Sequence, residues 1–97
     1  MAGYVIVNVT IRDPARYEEY RRLATPTVSA YGGRYLVRGG AVDAREGAWT
    51  PSRLVVLEFP SMERARAWWD SPEYAPAKAI RQSCADTQLV ITEGLPA

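Results

Sequence analysis

Apolar and polar positions alternate from Tyr4 to Ile11 (YVIVNVTI), with Val5, Val7, Val9 and Ile11 on one side and Tyr4, Ile6, Asn8 and Thr10 on the other. A period of two predicts a strand with one dry face and one mixed face. The period then changes. Asp13-Pro14 offers an N-cap and a proline suited to the first helical position. Tyr17, Tyr20, Ala24 and Val28 follow at helical spacing, which predicts a helix over 14–31. Pro26 falls inside it and should kink or shorten it near Ala24-Thr25. Gly32-Gly33 ends it. Residues 34–42 predict a second strand, with Gly39-Gly40 read as a bulge or a close backbone approach. Arg45-Glu46-Gly47 is a turn, and a third strand runs from about Trp49 to Phe59. Ser61 caps the next helix, whose apolar stripe is Met62, Ala65, Trp68 and Trp69. Ser71-Pro72 interrupts it. A further helical segment, about 73–84, carries Tyr74, Ala77 and Ile80, and Thr87–Glu93 predicts a fourth strand.

The resulting order, β-α-β-β-α-β, is the α+β pattern of a ferredoxin-like sandwich, a four-stranded antiparallel sheet with two helices on one face. Giving the helices the drier sets (Val5, Val7, Val9; Tyr35, Val37; Val55, Leu57, Phe59) leaves Ile6, Asn8, Thr10, Leu36, Arg38, Leu54, Val56, Glu58, Leu89 and Ile91 on the open face. That face is too apolar for water and too polar for an ordinary core, so a second copy is expected to cover it, giving a homodimer packed sheet to sheet. The faces could also be inverted, because both sets contain aliphatics. A turn at 45–47 makes opposed residue numbers in the hairpin sum to about 92. Glu58 then falls opposite Arg34 as a cross-strand ion pair, and Leu54 opposite Arg38.

Length and charge narrow the reading. A chain of 97 residues fits one domain, 1–97. Hydrophobic residues at 47% and charged residues at 24% match a soluble globular domain. A net charge of +1 with scattered basic residues gives no reason to expect nucleic acid or a membrane as partner. The start of the chain lacks a basic leader and no apolar run is long enough to span a bilayer, so a cytoplasmic location is expected. There is no histidine, which removes Ser-His-Asp and Cys-His arrangements and His metal ligands. The single cysteine, Cys84, is read as inert packing, since no histidine can activate it. No phosphate-binding glycine loop and no acidic metal cluster is present, so no cofactor and no metal are expected.

The candidate chemistry lies in a few polar and aromatic positions. Asn8 sits mid-strand among valines, where an amide must be hydrogen-bonded by its neighbours or by a ligand. Tyr17, Tyr20, Trp68, Trp69 and Tyr74 are dense for the length and read either as core or as the lining of a small-molecule pocket. Trp68 and Trp69 point about 100° apart on a helix, so one of them should lie at a pocket edge or interface. Tyr74 follows a helix break whose unpaired backbone groups would suit ligand access. Arg38, Arg53 and Arg81 could bind a carboxylate or phenolate, or be solvated. A half-buried Arg38 needs an anion of some kind. Asn8, Tyr20, Arg38, Trp68 and Tyr74 are the substrate-binding candidates for a small aromatic or carboxylate ligand.

The segments YGGRYLVRGG (31–40), RLVVLEFPS (53–61) and AWWDSPEY (67–74) resemble the signature of a small bacterial family, the domain of unknown function 1330. Asp13-Pro14, Ile80-Arg81 and Val90 to Gly94 extend the likeness over nearly the whole chain. The family belongs to the dimeric α/β-barrel superfamily, beside antibiotic-biosynthesis monooxygenases and muconolactone isomerases. The resemblance implies a ferredoxin-like protomer and a sheet-to-sheet dimer, and it brings no established reaction. Because the superfamily relatives do such work, one reading is a cofactor-independent enzyme, monooxygenase-like or isomerase- or cyclase-like, acting on a small aromatic or polyketide-like molecule. The other reading is a non-catalytic small-molecule-binding or stress-associated homodimer. No motif of the monooxygenases aligns residue by residue, so no catalytic residue is carried over.

Overall fold

The computed structural model describes residues 1–96. Strand β1 (Gly3–Ile11) leads into helix α1 (Pro14–Ala30), followed by β2 (Arg34–Arg38), β3 (Leu54–Phe59), α2 (Met62–Trp69), α3 (Ala75–Cys84) and β4 (Ala85–Glu93). The sheet order is β2-β3-β1-β4, with every neighbouring pair antiparallel. This is the ferredoxin-like sandwich, its second helical stretch interrupted at Ser71-Pro72 into α2 and α3 as the sequence predicts. The Asp13 side chain accepts the Arg16 amide at 3.2 Å, and Ser61 Oγ accepts the Arg64 amide at 3.1 Å, so both expected N-caps form. Pro26 does not shorten α1, which runs on to Ala30. No helix among the described residues is long and apolar enough to cross a membrane.

The core lies between the sheet and the helices. Val5, Val7 and Val9 of β1 and Val55, Leu57 and Phe59 of β3 meet Tyr17, Ala24 and Val28 of α1, Ala65 and Trp68 of α2, and Ala77 of α3. Close approaches fix this packing at two glycines. A Cβ at Gly3 would stand 2.6 Å from the Met62 backbone, and one at Gly33 2.6 Å from the Phe59 ring.

Three expectations about faces need correction. β2 stops at Arg38 and β3 starts at Leu54, so residues 39–53 are an irregular connection and not strand extensions. The bulge falls at Leu36, not at Gly39-Gly40. Arg34 pairs with Glu58 and Tyr35 with Leu57 as the hairpin register requires, but Val37 then pairs with Val56 and Arg38 with Val55. One extra residue reverses the alternation. Arg38 therefore turns to the helix side with Val55, and Val37 turns to the open side. In β4, Leu89 pairs with Val7 and Ile91 with Val5, which places both in the core, and Val90 opposite Ile6 takes the open face.

Candidate functional site

A cavity opens between the sheet and the helices. Tyr17 and Tyr20 of α1, Tyr35 of β2 and Trp68 of α2 line it over a floor of β1 and β3 valines. Its free volume is about 20 Å³, room for about one water. Trp68 is buried, with its ring 4.0 Å from that of Tyr74 and 5.4 Å from that of Phe59 between centroids. Its indole N–H donates to Thr27 Oγ1 at 3.0 Å. Trp69 is only half-buried and carries the Lys78 ammonium 4.4 Å from its ring centre. Of the adjacent tryptophans, Trp68 lines the cavity and Trp69 does not.

The helix break that places Tyr74 is closed on itself. Ser71, itself buried, donates from Oγ to the Trp68 carbonyl at 2.8 Å and accepts the Tyr74 amide at 3.1 Å. Ser71 thus takes up two of the backbone groups that the break would otherwise leave free, the Trp68 carbonyl and the Tyr74 amide. Tyr74 is fully buried, and its hydroxyl meets that of Tyr20 at 3.0 Å. Burial raises both phenols above their ordinary range, most strongly Tyr20, against a lowering pull from the Arg81 charge. Both are neutral hydroxyl groups at physiological pH.

Four arginines complete the lining: Arg21, Arg38, Arg53 and Arg81. Arg38 donates from Nη2 to Thr25 Oγ1 at 2.8 Å, and its guanidinium lies 4.1 Å from the Tyr35 ring centre. The Arg53 guanidinium is 5.6 Å from the Tyr17 ring centre and packs against Gly39, whose φ of +74° suits glycine. Arg81 is 2% exposed and faces the rings of Tyr20 and Trp69.

Of the five candidate residues, Tyr20, Arg38 and Trp68 line this cavity and Tyr74 stands directly behind it. Asn8 does not join them. It lies on the open sheet face, where its Oδ1 accepts the Ser52 amide at 2.9 Å beside Ile6, Leu54, Val90 and Trp49. Arg21 was not foreseen. Arg81 deserved more weight than the other arginines, because Tyr74, Ala77, Arg81 and Cys84 form one buried helical stripe with a cation in it. Among the described residues no group of three or more carboxylate, cysteine or histidine side chains could hold a metal ion. Burial raises the Cys84 thiol above its ordinary range.

Residues 2–95 match the model of a domain of unknown function, DUF1330. The chain belongs to the DUF1330 family. No curated protein matches it. Solved structures show the same fold at low identity. The RPA0582 protein of Rhodopseudomonas palustris, of unknown function, is 19% identical, with a TM-score of 0.75 over 99% of the DUF1330 chain and 84% of its own. SnoaB of Streptomyces nogalater, a cofactor-independent oxygenase, is 10% identical, with a TM-score of 0.66 over 99% and 95%. A dimeric ferredoxin-like protein of unknown function from Jannaschia sp. is 12% identical, with a TM-score of 0.65 over 97% and 100%.

Proposed function

We propose that the cavity between sheet and helices is the site of a small aromatic molecule, and that the chain acts on it as a cofactor-independent enzyme. One observation carries this reading: four aromatic rings, from α1, β2 and α2, converge on a single cavity ringed by guanidinium donors. The likeness of fold to SnoaB, itself a cofactor-independent oxygenase, supports the reaction class. In such a reaction phenol and dioxygen give quinone and water. A ring carbon gains the new C=O, and its hydrogen leaves with the hydroxyl hydrogen and the second oxygen atom as water. Arg38 and Arg21 border both the cavity and an open surface groove of about 610 Å³ on α1. The ligand enters past these two side chains, which move aside to enlarge the closed space.

The open sheet face is covered by a second copy. Its apolar residues, including Val90 at 58% exposed, and the dimeric ferredoxin-like relative support that assembly.

A binding protein without chemistry is the second reading. It is favoured by the lining itself, which holds tyrosines and arginines but no histidine, carboxylate or thiol to serve as a general base. Thermal melting and oxygen uptake with a panel of phenols and lactones separate the two. A ligand at ten times its Kd should raise the melting temperature by about 5–10 °C. A shift with oxygen uptake or product supports the enzyme, and a shift alone supports the binder. A flat response to the whole panel removes the site.

A further inference from the structure

The cavity gathers more positive charge than the chain neutralises. Four arginines line it and no aspartate or glutamate does. Arg21 is paired with Glu18, its Nη1 2.8 Å from Oε1. Among the described residues, neither Arg38, Arg53 nor Arg81 lies within ion-pair distance of a carboxylate. Arg81 is the extreme case. It is 98% buried, and the groups facing its charge are the rings of Tyr20 and Trp69, at 5.7 and 5.6 Å, near the outer limit for a cation–π contact. The Nε atoms of Arg53 and Arg81 are buried with no hydrogen-bond partner. A guanidinium cannot escape by losing its proton, and a buried charge without a counter-ion is costly.

We propose that the cavity selects an aromatic molecule carrying a negative charge, a carboxylate or a phenolate, whose oxygen atoms are held by Arg81 and Arg53. The inference rests on reading the cavity as an aromatic site and adds the ligand's charge to it. An oxyanion accepts two N–H bonds from the side of a guanidinium, and Nε is one of the two donors that this geometry uses. Nε is also the atom left without a partner on both arginines. Arg38 stands at the mouth, held by one bond to a neutral hydroxyl, Thr25 Oγ1. An arriving anion offers Arg38 a stronger acceptor than that hydroxyl, so the charge that selects the ligand also releases the side chain that blocks its way.

Isothermal titration of the full chain with 2-naphthoate and its neutral counterpart 2-naphthamide tests the charge. The naphthoate should bind at least about 10-fold more tightly, a difference of the size expected for hydrogen bonds to a charged group. Arg81→Met should cost the naphthoate roughly 10- to 100-fold and leave the naphthamide unchanged. The ligand-free variant should melt at a higher temperature than the parent, because an apolar side chain replaces an unpaired buried cation. Arg53→Gln, at a half-buried position, repeats the test where Arg81→Met alters folding. 4-Nitrophenol adds a spectroscopic arm, since its phenolate absorbs in the visible and should appear on binding at a lower pH than in free solution. A shift there assigns the phenolate, and tight naphthoate binding without it assigns the carboxylate. Equal affinity for naphthoate and naphthamide, with nitrophenol bound in its neutral form, overturns the proposal and leaves the aromatic site standing. Binding of none of the three probes removes the proposal and the aromatic site together. An anion preference unchanged in both variants overturns the assignment to Arg81 and Arg53.

Discussion

The hydroxyls of Tyr20 and Tyr74 share one hydrogen bond inside the cavity wall, and both phenols are held above their ordinary ionisation range by burial. In the unfolded chain they lose their protons near pH 10. Between that point and their native values the folded protein binds more protons, so stability falls as pH rises. Their contribution is fully present below about pH 10 and declines above it, by up to about 1.4 kcal/mol per pH unit for each phenol. Urea midpoints between pH 8 and 11 should show this decline, and Tyr20→Phe should flatten it. A parent and a variant with equal slopes would deny Tyr20 that role. Residue type alone made Tyr20, Trp68 and Tyr74 legible as candidates, because large aromatics at helical spacing face inward. It could not separate Asn8 from them, since an amide in a strand reads the same on either face. Its bond to Ser52 comes from the irregular segment, which has no pattern to read.

At the scale of elements, α1 carries a defect beside the cavity mouth. Pro26 has no N–H for the Arg22 carbonyl, and the preceding residue, Thr25, is the one that holds Arg38. Its hydroxyl donates back to the Arg21 carbonyl at 2.8 Å, as threonine does in a disturbed turn. Pro26→Ala should stabilise the protein by about 2 kcal/mol, the gain in the helix being offset in part by a freer unfolded chain. The expected sign is a higher urea midpoint at unchanged m-value; an unmoved midpoint would mean that the helix has already relaxed around the proline. The number and order of strands were legible because periods of two and of 3.6 are easily told apart. The faces were less so. TQLVITE has aliphatics at both parities, and only pairing with β1 decides that Leu89 and Ile91 go inward. The bulge at Leu36 left no mark in RYLVR, and that one residue moved Arg38 from one face of the sheet to the other.

The whole molecule has one side that its own chain leaves unfinished. Ile6, Val56 and Val90 share the open sheet face, and Trp49 reaches it from the 39–53 connection. Val90→Asp or Val56→Asp should convert a dimer to protomers in sedimentation, because an unpaired carboxylate in a dry interface costs several kcal/mol. Arg38→Glu, which the regular alternation would have placed in the same interface, should leave assembly unchanged. A dimer that survives both aspartates would mean that the copies meet elsewhere. The protomer measures 34 × 32 × 17 Å, a slab. Laying a second slab on the open face, with the two sheets about 10 Å apart, makes a body about 44 Å deep, two slab thicknesses and the gap between them, and no longer a thin tile. The pair should therefore tumble and drift like a compact ball, with less drag for its mass than the tile-shaped single chain, and hydrodynamics alone can tell which of the two is in the tube.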